Sequence, residues 1–181
     1  EPEGRNTAPA VALAAHEVLK QEDDAILVVL PSDHVIRQTD VFLDALTRAI
    51  GLAKSDALVT FGIVPDKPEV GYGYIRKGLA VEGAYRVDEF VEKPDWETAV
   101  EFFQSGLYLW NSGMFVFKAS VFLKELVKQK PGMAAAMSKS GKDILVLADG
   151  KKNKADHLLH YQIKRFNSWK PLRRLSKASY I

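Results

Sequence analysis

Two continuous aliphatic runs, each closed by a proline, constrain the fold of this chain more than any other feature. They occupy residues 25–30 and 57–64, and Pro31 and Pro65 follow them directly. Runs that are aliphatic along most of their length are typical of strands that are covered on both faces. The stretch between them, from Thr39 or Asp40 onward, keeps apolar residues at helical spacing. A strand, a helix and a strand in this order predict parallel strands joined by a right-handed crossover, so we expect an α/β fold.

The rest of the sequence adds further helices and β-prone segments. Asp95 opens one predicted helix, whose inward stripe we expect to contain Trp96, Ala99 or Val100, Phe103 and Leu107. Other predicted helices cover residues 9–20 and 120–130, and predicted strands cover 71–77, 85–92 and 109–117. After residue 142 the pattern weakens, with a strand predicted at 144–148 and a helix at 155–169.

Composition limits the class of protein. The 181 residues contain 47% apolar residues, enough for one ordinary folded domain, and no cysteine. Disulfide frameworks and thiolate metal sites are therefore excluded, and we expect a cytoplasmic protein. No apolar run is long enough to span a membrane. The chain starts with Glu1 rather than methionine, and we expect a segment upstream of it.

Charge divides the chain into two parts. Residues 151–181 hold nine Lys or Arg and one Asp, whereas residues 1–150 hold sixteen basic and twenty-two acidic residues. We predict a partial catalytic domain at residues 1–142 and a basic tail at residues 143–181. A basic tail can attract nucleic acid or anionic lipid, or it can be a solvated end. We favour the solvated end and expect no nucleic-acid or membrane partner.

A single carboxylate, Asp33, follows the first aliphatic run. Ligands of open α/β sheets sit at the carboxyl ends of the strands. Mg²⁺ takes oxygen ligands, commonly one or two carboxylates together with substrate phosphates. Asp33 is thus a candidate metal ligand, and Mg²⁺ is the candidate cofactor. Pro31-Ser32-Asp33 is also ordinary turn or capping sequence, and this alternative stays open.

Two segments offer groups for a sugar phosphate. Gly71 and Gly73 leave bare backbone in a predicted strand, which marks close approach of a ligand or, equally, a bulge. Glu92 and Lys93 stand before Pro94 at a strand end. A carboxylate suits sugar hydroxyls and an ammonium suits a phosphate. The alternative is an exposed charged pair that contributes little.

Polar residues also interrupt the apolar strand at 109–117. Asn111, Ser112 and Gly113 need hydrogen-bond partners if they are buried, which a bound sugar or a β-bulge would supply. At the front of the chain, Asn6 and Thr7 precede or begin a helix whose N-terminus either binds an anion or is simply capped. His157 and His160 lie three residues apart, but no third zinc ligand accompanies them.

In combination and in order, these motifs resemble the mannose-1-phosphate guanylyltransferases, also called GDP-mannose pyrophosphorylases. The matching segments are Glu-Pro-x-x-Arg-Asn-Thr-Ala-Pro-Ala (1–10), Leu-Pro-Ser-Asp-His (30–34), Gly-Tyr-Gly-Tyr-Ile (71–75), Phe-Val-Glu-Lys-Pro (90–94) and Trp-Asn-Ser-Gly-Met-Phe (110–115). The resemblance covers residues 1–137. It is strongest for the bacterial type that is often fused to a mannose-6-phosphate isomerase domain, which is not present here.

The resemblance implies a Rossmann-like nucleotide-diphospho-sugar transferase fold, with a mixed, mostly parallel sheet and flanking helices, present incompletely in this chain. It implies transfer of a guanylyl group from GTP to mannose 1-phosphate, which gives GDP-mannose and pyrophosphate. Asp33 would be one of two aspartates that hold Mg²⁺.

The resemblance also assigns the remaining site residues. Lys93 would act on the phosphate as a catalytic residue. The sugar phosphate would lie against Gly73, Glu92, Lys93 and Asn111, and the guanine end of the nucleotide would lie by Arg5, Asn6 and Thr7.

Two departures from the family pattern concern activity. The family's glycine-rich phosphate loop would precede Glu1, and neither the second metal aspartate nor the motif around it occurs in residues 138–181. We therefore expect the chain alone to be weakly active or inactive. A related pyrophosphorylase with another sugar or base, and a non-catalytic binding fragment, stay open as alternatives, and so does a homo-oligomer.

Overall fold

The protein was analysed as a computed structural model that describes residues 7–132 and the backbone of residues 179–180. The described helices are α1 (Thr7–Val18), α2 (Thr39–Lys54), α3 (Trp96–Ser105) and α4 (Ala119–Gln129). The described strands are β1 (Ile26–Val29), β2 (Leu58–Ile63), β3 (Gly73–Val81), β4 (Ala84–Glu92), β5 (Tyr108–Lys118) and β6 (Ser179–Tyr180). The α/β class predicted from the sequence is confirmed.

Local sequence signals account for the helix ends. The Asp95 side chain accepts a hydrogen bond from the Thr98 amide at 2.9 Å, which is the N-cap expected of this residue. Gly106 ends α3 in the left-handed conformation, with φ of 65°. Helix α1 begins two residues earlier than predicted. No helix in the described part of the chain is both long and apolar enough to cross a membrane.

The strands form one mixed sheet in the order β1-β5-β2-β6-β4-β3, and β3 also pairs with β5. Strands β1 and β2 point in the same direction, as the crossover prediction requires, but β5 lies between them and is antiparallel to both. Four of the six described strands share one direction. The only parallel pair of neighbours among them is β2 with β6. The sheet is therefore mixed as predicted, whereas contacts between its described neighbours are mainly antiparallel.

Two apolar clusters cover the sheet where β1, β5 and β2 meet. One packs helices α1 and α4 against Phe115 and Phe117 of β5. The other packs α2 against Val59 of β2 and Val116 of β5. Successive residues of β5 thus serve opposite faces of the sheet, as the alternation of a strand requires. This core holds the carboxyl ends of β1 and β2 in place.

The inward face of α3 differs from the predicted one. Trp96, Phe103 and Leu107 are 61%, 37% and 47% exposed, whereas Ala99 is fully buried as expected. Phe102 is the aromatic residue that packs inward, stacked on Tyr108 with ring centroids 3.8 Å apart. The predicted strand at 144–148, the helix at 155–169, His157 and His160 lie outside the described residues, as does nearly all of the basic tail.

Candidate active site

Gly73 and Glu92 face each other at the end of the β3–β4 hairpin. Their Cα atoms are partners in the antiparallel register. The Glu92 side chain lies directly over Gly73, because a Cβ added to Gly73 would be only 2.8 Å from Glu92 Oε2 and 3.2 Å from Phe90 Cε1. Position 73 therefore requires glycine, because the Glu92 carboxylate occupies the space that a side chain there would need.

Asn111 lies on the other side of Gly73. Tyr74 pairs with Trp110 across the β3–β5 contact, and one further step of this antiparallel register puts Gly73 beside Asn111. Asn111 in turn pairs with Gly62 of β2. Residues directly across neighbouring strands have side chains on the same face. Glu92, Gly73, Asn111 and Gly62 therefore form a row across four strands, in which glycine and polar side chains alternate.

The electrostatics of Glu92 fit a site that binds hydroxyl groups. The side chain is half-buried and accepts no hydrogen bond within residues 7–132. Burial raises the pKa of the Glu92 carboxyl above its ordinary value, and the nearby Lys93 charge opposes this shift. A partly desolvated carboxylate without donors is costly unless a ligand supplies them.

A bulge in β5 orients the Asn111 amide. The register between β2 and β5 shifts between Thr60 and Gly62, so residues 112–114 bulge out of the ladder. Asn111 Oδ1 accepts a hydrogen bond from the Gly113 amide at 3.2 Å. The Thr60 hydroxyl also lies 3.2 Å from Asn111 Oδ1 and shares its proton between that oxygen and the Met114 carbonyl, which is 3.0 Å away. The bulge thus satisfies the amide oxygen, whereas the Asn111 NH₂ group has no partner within the described segment.

Lys93 follows Glu92 in an unusual backbone conformation. Its φ of 47° lies in the left-handed region, which non-glycine residues rarely adopt. The Lys93 amide donates a hydrogen bond to the Tyr72 carbonyl at 3.2 Å, and its side chain is exposed. Strained backbone at a residue that chemistry singles out is a recognised mark of functional sites.

Asp33 lies in the exposed loop after β1. Pro31, two residues earlier, reaches within 3.6 Å of where a Cβ of Gly113 would be, so this loop adjoins the β5 bulge. The described residues contain no group of three or more carboxylate or histidine side chains able to hold a metal. Asp33 therefore offers one carboxylate ligand, which fits Mg²⁺ only if substrate oxygens and water complete the shell.

Thr7 is the first residue of α1 and is 2% exposed. It lines a small cavity with Val29 and Phe115, at the carboxyl end of β1. Its hydroxyl has no hydrogen-bond partner within the described part of the chain. The helix N-terminus thus opens toward the same end of the sheet as the Asp33 loop. Arg5 and Asn6 lie outside the described residues.

Sequence reasoning missed three residues that shape this site. Thr60 orients Asn111, Gly62 flanks it, and Trp110 contacts Tyr72 with ring centroids 5.1 Å apart in an edge-to-face arrangement. The one signal for Thr60 and Gly62 was their polarity or small size within an aliphatic run. Their pairing with β5 is a long-range contact that local patterns do not reveal.

Comparison with known proteins decides the family. The nucleotidyl transferase family matches residues 1–167. The chain belongs to the nucleotidyl transferase family. It is 51% identical over 140 residues to the mannose-1-phosphate guanylyltransferase of Escherichia coli, covering 75% of this chain and 30% of that protein. It is 54% identical over 140 residues to the xanthan biosynthesis protein XanB of Xanthomonas campestris pv. campestris, covering 77% and 30%.

Solved structures agree with this assignment. A protein from Thermus thermophilus, described as a mannose-1-phosphate geranyltransferase, superposes with a TM-score of 0.71 at 34% identity, covering 83% of this chain and 43% of that one. A Helicobacter pylori protein described as a mannose-6-phosphate isomerase gives 0.69 at 41% identity, covering 77% and 52%. The similarity to mannose-1-phosphate guanylyltransferases is confirmed, and this chain spans about three tenths of the length of such relatives.

Proposed function

We propose that this chain supplies the sugar-phosphate side of a mannose-1-phosphate guanylyltransferase, which transfers a guanylyl group from GTP to mannose 1-phosphate. The observation that carries the proposal is the row in which the bare backbone of Gly73 lies between Glu92 and Asn111. Two relatives named for this activity are 51% and 50% identical to this chain over 140 and 147 residues.

The row has the chemistry of a hexose subsite. The Glu92 carboxylate accepts hydrogen bonds from two neighbouring sugar hydroxyls, and the Asn111 NH₂ group donates to a third oxygen. The sugar ring lies against the Glu92 carboxylate, which takes the space over Gly73 because no Cβ is present there. Both polar groups have unused hydrogen-bonding capacity within the described residues, which a sugar would satisfy.

Charged residues at the same edge suit the phosphates. The Lys93 ammonium neutralises the phosphate of mannose 1-phosphate, and Asp33 holds Mg²⁺ together with phosphate oxygens. When bound, Mg²⁺ supplies charge neutralisation for the triphosphate. We propose that the N-terminus of α1, with Thr7 and the preceding Arg5 and Asn6, binds the guanosine end of the nucleotide, since free amides there attract polar groups.

The reaction is an in-line displacement. A phosphate oxygen of mannose 1-phosphate attacks the α-phosphorus of GTP, the bond from that phosphorus to the β-phosphate bridging oxygen breaks, and pyrophosphate leaves. No covalent intermediate with the protein is required. The residues of this chain bind and orient the attacking phosphate and offset its charge, which is where most of the acceleration of such transfers arises. We place this reaction in the cytoplasm, where GTP is available.

Ligand binding to the 181-residue chain tests the proposal without depending on turnover. Calorimetric titration with mannose 1-phosphate, glucose 1-phosphate and GDP-mannose should show preference for the mannose compounds. We expect Glu92→Gln and Asn111→Ala each to weaken mannose 1-phosphate binding by about tenfold, as for a lost hydrogen bond to a bound polar group.

The matched control is Asp88→Asn, a charge change on β4 that removes an exposed ion pair with Arg76 away from the row. It should leave binding unchanged. A folded chain that binds neither mannose compound, or that binds glucose 1-phosphate equally well, contradicts the proposal. Pyrophosphate release with GTP, ATP, UTP and dTTP then tests the choice of base.

A further inference from the structure

Tyr72 adjoins the sugar-phosphate site through two contacts, one between its ring and Trp110 and one between its carbonyl and the Lys93 amide. It lies between Gly71, which precedes β3 and has wide conformational freedom, and Gly73, which is paired with Glu92 in the β3–β4 ladder. Its ring packs edge-on against Trp110, with centroids 5.1 Å apart and planes at 75°. The Tyr72 side chain is nevertheless 48% exposed, although burial of an aromatic ring is favourable.

The carbonyl of Tyr72 accepts the hydrogen bond from the Lys93 amide at 3.2 Å. This bond is notable because Lys93 has a φ of 47°, which a residue with a side chain adopts only when its surroundings hold it there. The conformation of Lys93 thus depends on where the Tyr72 carbonyl lies.

Trp110, which contacts the Tyr72 ring, lies inside the sheet. Its strand neighbours are Ile63 on β2 and Tyr74 on β3, so hydrogen-bonded backbone flanks it on both sides. Its indole Nε1 is buried and has no hydrogen-bond partner among the residues that the structure describes. Asn111, which belongs to the row with Glu92 and Gly73, follows Trp110 directly in β5.

We propose that Tyr72 is a positioning residue. Its ring, held on Trp110, restrains an otherwise flexible glycine-flanked segment so that its carbonyl meets the Lys93 amide. Lys93 is thereby set at a fixed place relative to Glu92 and Gly73. The consequence for substrate rests on the proposed function, because Lys93 is the residue proposed to meet the sugar phosphate.

The test compares Tyr72→Ala, Tyr72→Phe and Tyr72→Leu in the 181-residue chain, with Tyr85→Ala as the matched control. Tyr85 is a similarly exposed tyrosine on β4, near the opposite end of the hairpin, where it contacts Lys77. Affinity for mannose 1-phosphate should fall about tenfold or more in Tyr72→Ala, as expected for a displaced charged group. Tyr72→Phe, which keeps the ring, should restore it, and Tyr85→Ala should not change it.

A double-mutant cycle separates positioning from a direct contact. If Tyr72 acts through Lys93, the Tyr72→Ala change should have little further effect in a Lys93→Ala background. Additive losses, a loss that Tyr72→Phe does not restore, or a loss smaller than twofold each overturn the proposal. If the alanine variant does not fold, Tyr72→Leu, which keeps apolar cover without an aromatic ring, is used with the same criteria.

Amide exchange at Lys93 gives a readout that needs no ligand. Removing the Tyr72 ring should accelerate hydrogen exchange of the Lys93 amide by about tenfold or more, while amides of β1 keep their protection. Unchanged exchange at Lys93 overturns the positioning role. If the wild-type chain binds no mannose 1-phosphate, but Tyr72→Ala still accelerates exchange of the Lys93 amide, the proposed function is refuted and the restraint on Lys93 is established.

Discussion

The two halves of β5 serve different purposes. Residues 115–118 pair with β1, alternate between two apolar clusters and are largely buried. Residues 108–110 pair with β3, and Asn111 follows them in the row that we propose to bind the sugar. The bulge at residues 112–114 separates them and lets the strand exchange β1 for β3 as its neighbour. One strand thus anchors the core at one end and supports a polar site at the other.

The two halves of β5 differ in what they contribute to the stability of the chain. The core half has fully buried residues such as Val116 and consists of apolar contacts. The site half of β5 adjoins the β3–β4 hairpin, which ends in the half-buried Glu92 carboxylate, without a donor among the described residues, and in the strained backbone of Lys93. Changes in the core half should therefore mainly lower stability, whereas changes around the site half should mainly weaken binding.

The largest effect on stability should come from the core half. Phe117 is 5% exposed and stacks on Phe122 of α4, with ring centroids 5.0 Å apart. Phe117→Ala should lower the free energy of unfolding by about 3–5 kcal/mol, because it removes buried contacts and leaves a cavity. Urea denaturation followed by circular dichroism measures this loss. Val127→Ala, at an exposed position of α4, should change stability by less than about 0.5 kcal/mol. Equal losses in the two variants would contradict the division.

A smaller effect is expected at the junction of the two halves. Gly113 has a φ of 73°, so Gly113→Ala should cost about 1–2 kcal/mol of stability. Gly106 at the end of α3 has a φ of 65° and should lose a similar amount when changed to alanine. Only the Gly113 change should weaken mannose 1-phosphate binding, since its amide holds Asn111 Oδ1. Weaker binding in both variants, measured by calorimetry, would show that general destabilisation is responsible.

The site half is tested at Gly73. An added Cβ would meet Glu92 Oε2 at 2.8 Å, so Gly73→Ala should displace the carboxylate and reduce affinity for mannose 1-phosphate about tenfold, or 1.4 kcal/mol. Gly78 is the matched control on the same strand, because a Cβ there would be 3.1 Å from the Arg86 carbonyl. Gly78→Ala should cost stability without loss of affinity. If both glycine changes leave affinity intact, the Glu92 carboxylate over Gly73 does not bind the sugar.

The fold was predictable from the sequence where its causes are local. The Asp95 cap and the aliphatic strands were readable because a few adjacent residues determine them. The insertion of β5 between β1 and β2 was not, since its partners are distant in sequence. The prediction placed Phe103 instead of Phe102 on the inward face of α3 for the same reason. Phe102 packs inward because it contacts Tyr74 of β3 and Tyr108 of β5, which are distant in sequence.

The candidate site divides in the same way. Composition and spacing marked Asp33, Gly73, Glu92 and Asn111 as unusual, yet each had an ordinary structural alternative. Only the family resemblance joined them before the structure did. For Asn111 both readings hold, because its oxygen serves the bulge while its NH₂ group is left for a ligand. Tyr72 escaped notice because an aromatic residue between glycines has no chemical signature of its own.

The smallest effect, and the one that separates binding from stability most directly, concerns Glu92. Its raised pKa means that the folded chain holds the carboxyl proton more tightly than the unfolded chain does. The contribution of this group to stability is therefore full below the unfolded-state pKa and is lost as the pH rises through the folded-state pKa. Glu92→Gln should thus be more stable than the wild type at neutral pH, by less than about 1 kcal/mol because the carboxyl is only half-buried.

Asp95 provides the opposite slope in the same molecule. Hydrogen bonds from Thr98 lower the pKa of Asp95, so its contribution is present at neutral pH and is lost as the pH falls through the folded-state pKa. Urea denaturation between acid and neutral pH should show Asp95→Ala approaching the wild type on acidification. Glu92→Gln should approach it there too, but from the more stable side. A Glu92→Gln variant that is less stable than the wild type at neutral pH would mean that the carboxylate has a structural partner, and its assignment to sugar hydroxyls would then be wrong.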